Sequence, residues 1–391
     1  MERAHERVNY GCEWNVEDID VVRTDEFNQG SNWTAKRRRR HDECHGQTLV
    51  DTAIWSRLAY DDDVRVFSGI QPSGMPHLGN YLGALKQWVS SQGPESFYCV
   101  VDLHALTLDI EPQTLNRQTH DTMALLLAAG LDPEQCTLFV QSHVPYHAMM
   151  NWLLECVASY GELTRMTQFK EKAERQAGFR AGLFTYPVLM AGDILLYQAG
   201  EVPVGDDQRQ HLELTRDVAI RFNHRFGDTL VVPEPTFPTV AARVRDLQNP
   251  LAKMSKSAET EAGLILLVDP PARIAKKIRS AVTDSVGEIR YDPAAQPGVA
   301  NLLEILAAAT DRPVADVAAE LAGQGYGALK SQTADAVVAL VEPLQARLAE
   351  LQDDPGEVAR ILEDGAARAE AIAAPVLDRV RRAAGLLPRG R

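Results

Sequence analysis

Val64-Arg65-Val66-Phe67-Ser68-Gly69 is followed by Gln71-Pro72-Ser73-Gly74 and then by Met75-Pro76-His77-Leu78-Gly79-Asn80. The first run is short, apolar and rich in β-branched and aromatic residues, which predicts a buried strand. The Gly/Pro-rich run is a loop, and a helix is expected from about Asn80 to Val89. The pattern then recurs. Phe97 to Asp102 reads as a strand, Thr114 to Ala129 as a helix and Cys136 to Gln141 as a strand. Strands alternating with helices imply an α/β fold with a parallel sheet and crossover helices. Ligands of such sheets sit beyond the carboxyl ends of the strands, where the Gln71–Gly74 loop and Asp102-Leu103-His104 fall.

Residues 147–227 are mostly helical by pattern, with one strand expected near Glu201 to Val204. Beyond about Gly263 the chain is Ala/Leu-rich and helical to its end. The expected organisation is an N-terminal extension (1–62), a catalytic α/β domain (63–262) with a helical insertion at about 147–200, and a helical domain (263–391).

Composition narrows the class. The 391 residues are 45% hydrophobic and 24% charged, ordinary values for a globular protein. No apolar run approaches the ~20 residues of a membrane helix. The N-terminus lacks an apolar signal core and carries Glu2, Glu6, Glu13, Glu17 and Asp18, so a cytoplasmic location without membrane attachment is expected. A net charge of −14 disfavours a sequence-independent DNA binder. Lys276, Lys277 and Arg279 read either as a local RNA-facing basic patch or as a solvated helix face. The cysteines, Cys12, Cys44, Cys99, Cys136 and Cys156, are odd in number and lack metal or redox spacing, so free thiols are expected. His41-Asp42-Glu43-Cys44-His45 has no second ligand pair, and no resident metal site is expected.

Several segments carry chemistry. The Gly-rich loop before Asn80 lets the backbone approach a phosphate closely, and His77 and Asn80 can add side-chain hydrogen bonds. Its spacing matches neither the Walker loop nor the dinucleotide fingerprint. Tyr186, Met190, Asp193 and Tyr197 fall on one helix face. A carboxylate in that apolar setting needs a donor; either the protein or a ligand N–H can supply it. Gly205-Asp206-Asp207-Gln208 opens a long helix, its carboxylates serving as caps or as acceptors for ribose hydroxyls. Lys253-Met254-Ser255-Lys256-Ser257 is either a solvated basic loop or a source of ammonium groups for a developing pyrophosphate.

In this order and at this separation, Met75–Asn80 and Lys253–Ser257 resemble the two signature segments of class I aminoacyl-tRNA synthetases. The chain is similar to the bacterial tryptophanyl branch from about Val64 nearly to its end. The most specific stretches are Phe67 to Gly74, Gly79-Asn80-Tyr81, Gly161 to Lys170, Asp193 to Tyr197, Gly205 to Gln208 and the lysine loop. The resemblance implies a Rossmann catalytic domain, a helical anticodon-binding domain and a homodimer joined through the insertion. The implied reactants are L-tryptophan, ATP with Mg2+, and tRNA(Trp). By the same resemblance Asp193 accepts the indole N–H, Phe67, Gly69, His104, Tyr186, Met190 and Val204 line the amino acid, and Gln208 helps to hold it. Gln71, Pro72, Ser73, His77, Gly79, Asn80, Gly205, Asp206, Asp207, Val244, Met254, Ser255 and Ser257 hold ATP. Asn80, Lys170, Lys253 and Lys256 serve catalysis.

Two features depart from the family pattern. Leu103 lies where many bacterial relatives carry Gln before the His, and residues 1–62 have no usual counterpart. That extension contains Trp14, Trp33, Trp55 and the basic run Lys36-Arg37-Arg38-Arg39-Arg40, which suit an arm for a protein partner or RNA, or equally a solvated tail. Val50, Ile54 and Leu58 suggest a short amphipathic helix within it. The competing readings are the tyrosyl relative and an auxiliary paralogue serving a partner protein. Asp193 and Asn80 favour tryptophan over tyrosine, and the intact lysine loop favours a working synthetase.

Overall fold

The computed structural model describes residues 64–170, 180–203, 205, 208–236, 244–255 and 260–388. Five parallel strands form one sheet: β1 (Val66–Ile70), β2 (Ser96–Val100), β3 (Thr137–Val140), β4 (Glu201–Pro203) and β5 (Glu234–Thr236). Their order is β3-β2-β1-β4-β5. β1 pairs in register with β2 from Val66↔Ser96 to Ile70↔Val100, and with β4 through Val66↔Glu201. The chain thus builds outward on one side of β1 and then on the other. This reversal is the topological switch of a Rossmann-type sheet, and it opens a crevice between the loops that leave β1 and β4.

The expected α/β class and the first four strands agree with this architecture. β5 lay outside the expectation. It is three residues long and contains Pro235 at the sheet edge, so it carries no alternating apolar signal.

β2 and β3 are buried along their whole length, as strands covered on both faces are. Tyr98, Val100, Leu138 and Val140 point into one core, and Phe67, Phe97, Cys99 and Phe139 into the other. The helix expected at Asn80–Val89 starts earlier and is not uniform. It comprises α1 (Leu78–Asn80), a π-helical turn (Tyr81–Leu85) and α2 (Lys86–Ser91). After β2 come α3 (Asp102–Ala105) and α4 (Pro112–Ala128), whose Pro112 suits the first turn, where no N–H partner is needed.

The second face is covered by α5 (Tyr146–Glu155), α6 (Tyr160–Leu163), α7 (Ala181–Leu196) and α8 (Arg209–Phe226). α8 ends at Gly227, whose φ of 91° favours glycine. The rest of the described chain is helical: α9 (Pro271–Arg279), α10 (Pro297–Ala309), α11 (Val314–Leu321), α12 (Tyr326–Asp353) and α13 (Pro355–Ala383). α12 packs on α4, α9 and α10, while α13 lies along β3. α13 therefore covers the edge of the sheet that would otherwise be open to another strand. Gly365 of α13 meets the backbone of β3 so closely that a β-carbon there would collide with the Leu138 carbonyl oxygen.

The extension 1–62, with its tryptophans, arginine run and amphipathic segment, lies outside the described residues, as do Val204, Asp206, Asp207, Lys256 and Ser257. Among the described residues no helix is long and apolar enough to cross a membrane, Cys99, Cys136 and Cys156 are free thiols, and no cluster of three or more His, Cys, Asp or Glu could hold a metal.

Candidate active site

Asp193, on α7, is 1% exposed. Its Oδ1 accepts from Gln141 Nε2 at 2.6 Å and from His147 Nδ1 at 2.7 Å, and its Oδ2 from His104 Nε2 at 2.8 Å. Burial alone would raise the carboxyl pKa, but the hydrogen bonds from His104 and His147 outweigh it and hold the group below its ordinary value. An ionised carboxylate only accepts, so both imidazoles donate to it. With Nδ1–H of His147 so committed, its Nε2 accepts from the Tyr197 hydroxyl at 2.9 Å. Burial pushes the Tyr197 phenol far up, so it stays a proton donor.

Three protein side chains thus donate to Asp193, so the protein itself supplies the donors that this carboxylate needs. Oδ2, with one donor, retains acceptor capacity for another N–H. His104 was expected here. Gln141 and His147 were not: Gln141 opens the 3-10 turn Gln141–His143 after β3 and His147 lies on α5, and nothing in their local sequence links them to Asp193. Gln141 also ties neighbouring loops together, because its Oε1 accepts from the Leu103 N–H at 3.1 Å. Leu103 contributes to the site through this main-chain bond. Ser142 N and Oγ reinforce the junction by donating to the Asp102 carboxylate at 2.9 and 2.5 Å.

Around Asp193 lies an aromatic wall. Phe67 stacks on Tyr197 with ring centroids 5.5 Å apart, and Tyr186 meets His104 edge-on at 6.2 Å. The Tyr186 hydroxyl donates to Gln168 Oε1 at 2.9 Å and lies 2.8 Å from His211 Nε2. Met190 is half-buried on the same helix face. Gly69, at the end of β1, is exposed. Gln208 sits at the start of α8 and donates its N–H to Gly205 O at 3.0 Å.

The first signature segment is bonded through main chain to residues 265–267, which follow the lysine loop. Leu78 N donates to Ile265 O at 2.9 Å, Leu267 N donates to Pro76 O at 3.2 Å, and His77 pairs with Leu266 as an antiparallel bridge. The chain leaving the lysine loop is therefore hydrogen-bonded to the loop that opens α1. On the entering side Met254 N donates to Val244 O at 3.1 Å, and Arg245 bridges Lys253. Val244 and Met254 are buried, Ser255 is half-buried, and Lys253 is exposed. A β-carbon on Gly79 would lie 3.0 Å from the His77 ring, tighter than ordinary contact, and at normal contact distance, 3.5 Å, from the Val244 side chain.

His77 and Asn80 have a structural duty that the sequence did not reveal. His77 Nδ1 accepts from Asn80 N at 3.3 Å and Asn80 Oδ1 accepts from His77 N at 3.0 Å, a reciprocal cap for α1. In the loop before them Gln71 is half-buried, Pro72 is buried, Ser73 is exposed and Gly74 adopts a φ of 96°. Lys170 is exposed at the end of the helical stretch 167–170. The basic triplet of α9 needs correction. Lys276 and Arg279 are exposed, but Lys277 is only 7% exposed and donates to Leu264 O and Asp269 Oδ2, both at 2.6 Å. It belongs to a buried ion pair and offers no RNA-facing charge.

The family described as "tRNA synthetases class I (W and Y)" matches residues 60–342. The chain belongs to this family. Residues before 60 lie outside the match. This synthetase is 53% identical over 332 residues to a protein named tryptophan–tRNA ligase 1 of Streptomyces coelicolor, covering 83% of this chain and 98% of that one. Its fold matches the tryptophanyl-tRNA synthetase structure from Mycoplasma pneumoniae with a TM-score of 0.76 at 40% identity, over 83% of this chain and 98% of that one. It also matches a Campylobacter jejuni tryptophanyl-tRNA synthetase complexed with ADP and tryptophan, with a TM-score of 0.71 at 32% identity, over 82% and 100% of the two chains.

Proposed function

We propose that the chain is a tryptophan–tRNA ligase. In the first step a carboxylate oxygen of L-tryptophan attacks the α-phosphorus of ATP. The bond to the β-phosphate oxygen breaks, pyrophosphate leaves with its electron pair, and tryptophanyl-AMP remains. In the second step a terminal ribose hydroxyl of tRNA(Trp) attacks the acyl carbon and AMP leaves. The curated relatives at about 53% identity carry this activity in their names, which favours it over the tyrosyl alternative.

The observation that carries the choice of amino acid is Asp193, a buried, ionised acceptor between aromatic rings. Oδ2 accepts the indole N–H, and Phe67, Tyr186 and Met190 flank the ring. A pocket built on a buried hydrogen-bonding group rejects side chains that lack the matching donor. The Gln71–Gly74 loop, Gly79 and Asn80 face the phosphates, and Val244 lies beside Gly79 toward the adenine. Lys253 and Lys256 meet the charge that grows on pyrophosphate. No protein nucleophile is needed, so positioning and electrostatics supply most of the rate. Mg2+ would accompany ATP as a substrate companion and would offset negative charge on its phosphates, as is usual for this ion.

Three finer readings accompany this one. The helical region 263–391 serves the anticodon end of tRNA. A second copy covers the face formed by α5 and α6, where Trp152 is 62% and Tyr160 75% exposed. Large exposed aromatics of this kind favour an interface; sedimentation should give a dimer, and Trp152→Glu should shift it to monomer. The reaction takes place in the cytoplasm, with residues 1–62 as an arm for a protein partner or RNA. A chain beginning at Asp63 should then keep pyrophosphate exchange but charge tRNA or bind its partner less well.

The deciding experiment is ATP–pyrophosphate exchange on purified protein with tryptophan or tyrosine, followed by charging of tRNA(Trp). Exchange with tyrosine alone would overturn the reading. Exchange with tryptophan but no charging would favour the auxiliary alternative.

A further inference from the structure

Asp246 lies on the segment that enters the lysine loop and is 5% exposed. Its Oδ1 accepts from Gln248 N at 2.7 Å and Asn249 N at 2.9 Å. Its own N–H donates to Ala252 O at 3.0 Å, so side chain and main chain together fold 246–252 into a tight turn that leads directly to Lys253. The next residue, Leu247, donates to Gly263 O at 3.0 Å, where the chain leaves the loop, and accepts from Val282 N at 2.8 Å. Two residues beyond Gly263, Ile265 accepts from Leu78 of the first signature segment.

Gly263 is bare for a reason that its backbone does not supply. It does not adopt a positive φ. A β-carbon there would instead collide with both carboxylate oxygens of Asp246. That carboxylate cannot swing away cheaply, because leaving would strip two N–H groups of their acceptor and expel a buried charge from its donors. An ordinary turn-forming Asp makes no such demand on a residue far along the chain. The contact joins the segment that carries Lys253 to the segment hydrogen-bonded to the His77 loop.

We propose that Asp246, seated against Gly263, is a positioning residue for the first reaction step. It fixes Lys253 relative to the Met75–Asn80 loop, so that ammonium and phosphate-binding groups act on one ATP. This rests on the tryptophan-ligase reading above. Misplacing a group by about 1 Å can cost on the order of a hundredfold in rate, whereas the Asp193 pocket, built on other elements, is untouched.

The test is tryptophan-dependent ATP–pyrophosphate exchange with full-length protein. Asp246→Ala and Gly263→Ala should each lower kcat by about tenfold or more and leave the KM for tryptophan within about twofold. The double variant should be no worse than the worse single one, because both break the same contact. Asp246→Asn, which keeps an acceptor oxygen, should recover most of the loss. Thermal melting and circular dichroism check folding. If Asp246→Ala does not fold, Gly263→Ala decides, with a kcat loss supporting the proposal and a wild-type kcat overturning it. Wild-type kcat in folded Asp246→Ala, a loss confined to the tryptophan KM, or effects that multiply in the double variant would also overturn it. A wild-type protein inactive with tryptophan would instead remove the ligase reading on which it rests.

Discussion

Gly365 of the last helix rests directly on the carbonyl oxygen of Leu138, with no space between them for a methyl group. The obstacle is main chain and cannot rotate aside. Gly365→Ala should therefore push α13 off the β3 edge and destabilise the fold by about 1–3 kcal/mol, the usual cost of overpacking. Denaturant midpoints of the variant and wild type would measure it. An unchanged midpoint would mean that the helix does not sit against the strand.

Asp193→Ala should cost about 2–4 kcal/mol in kcat/KM for tryptophan, the scale of losing a buried charged partner. Asp193→Asn should recover little, because its NH2 group cannot accept from the donors that now converge on the carboxylate. Steady-state exchange kinetics with each variant test both statements, and unchanged kcat/KM in the alanine variant would remove Asp193 from its role.

The same carboxylate sets a pH signature. Its folded-state pKa lies below the ordinary 3.8. Its stabilising effect should be fully present above the unfolded value and be lost as pH falls through the folded one. The stability gap between wild type and Asp193→Asn should then be flat above the ordinary carboxylate range and narrow only in acid. A gap that grows on acidification would contradict the sign of the shift.

Lys256→Ala should lower kcat for adenylate formation far more than it raises the KM for tryptophan, since the charge it meets develops mainly in the transition state. Single-turnover and steady-state exchange separate the two. A large KM effect with intact kcat would make Lys256 an ordinary binding group.

Lys277→Ala should destabilise by about 1–3 kcal/mol, because it removes the ammonium that bonds to buried Asp269 and leaves that carboxylate with the Leu266 N–H at 3.0 Å and the Arg273 guanidinium at 3.5 Å. Lys276→Ala, one residue away but exposed, should be nearly neutral. Equal effects in a thermal or chemical melt would show that the buried pair carries no special weight.

Local pattern carried much of this protein. The apolar run before Gly69, the Gly/Pro loop after it and the two similar strands downstream were enough to read a parallel sheet and the end at which its ligands bind. Asp193 stood out as a carboxylate in an apolar helix. What local pattern could not disclose was partnership across the fold. Gln141, His147 and Asp193 belong to three different elements, and their union depends on how α5 and α7 pack. Lys277 looked like its exposed neighbours because a helix face is defined by what packs on it, and Asp269 with the Leu264 carbonyl lies off that helix. β5 was illegible because three residues with a proline in the middle leave no period to detect.

The join between the first signature segment and the chain that follows the lysine loop uses only peptide groups: Leu78 N–H with the Ile265 carbonyl, and Leu267 N–H with that of Pro76. Peptide groups are alike in every residue except proline. Side chains at 265 and 267 are therefore free to drift within what their buried surroundings accept. What the seam forbids is an imino acid at 78 or 267. The alignment of the two halves of the site is thus written in an absence, and a catalogue of side-chain identities would pass over it.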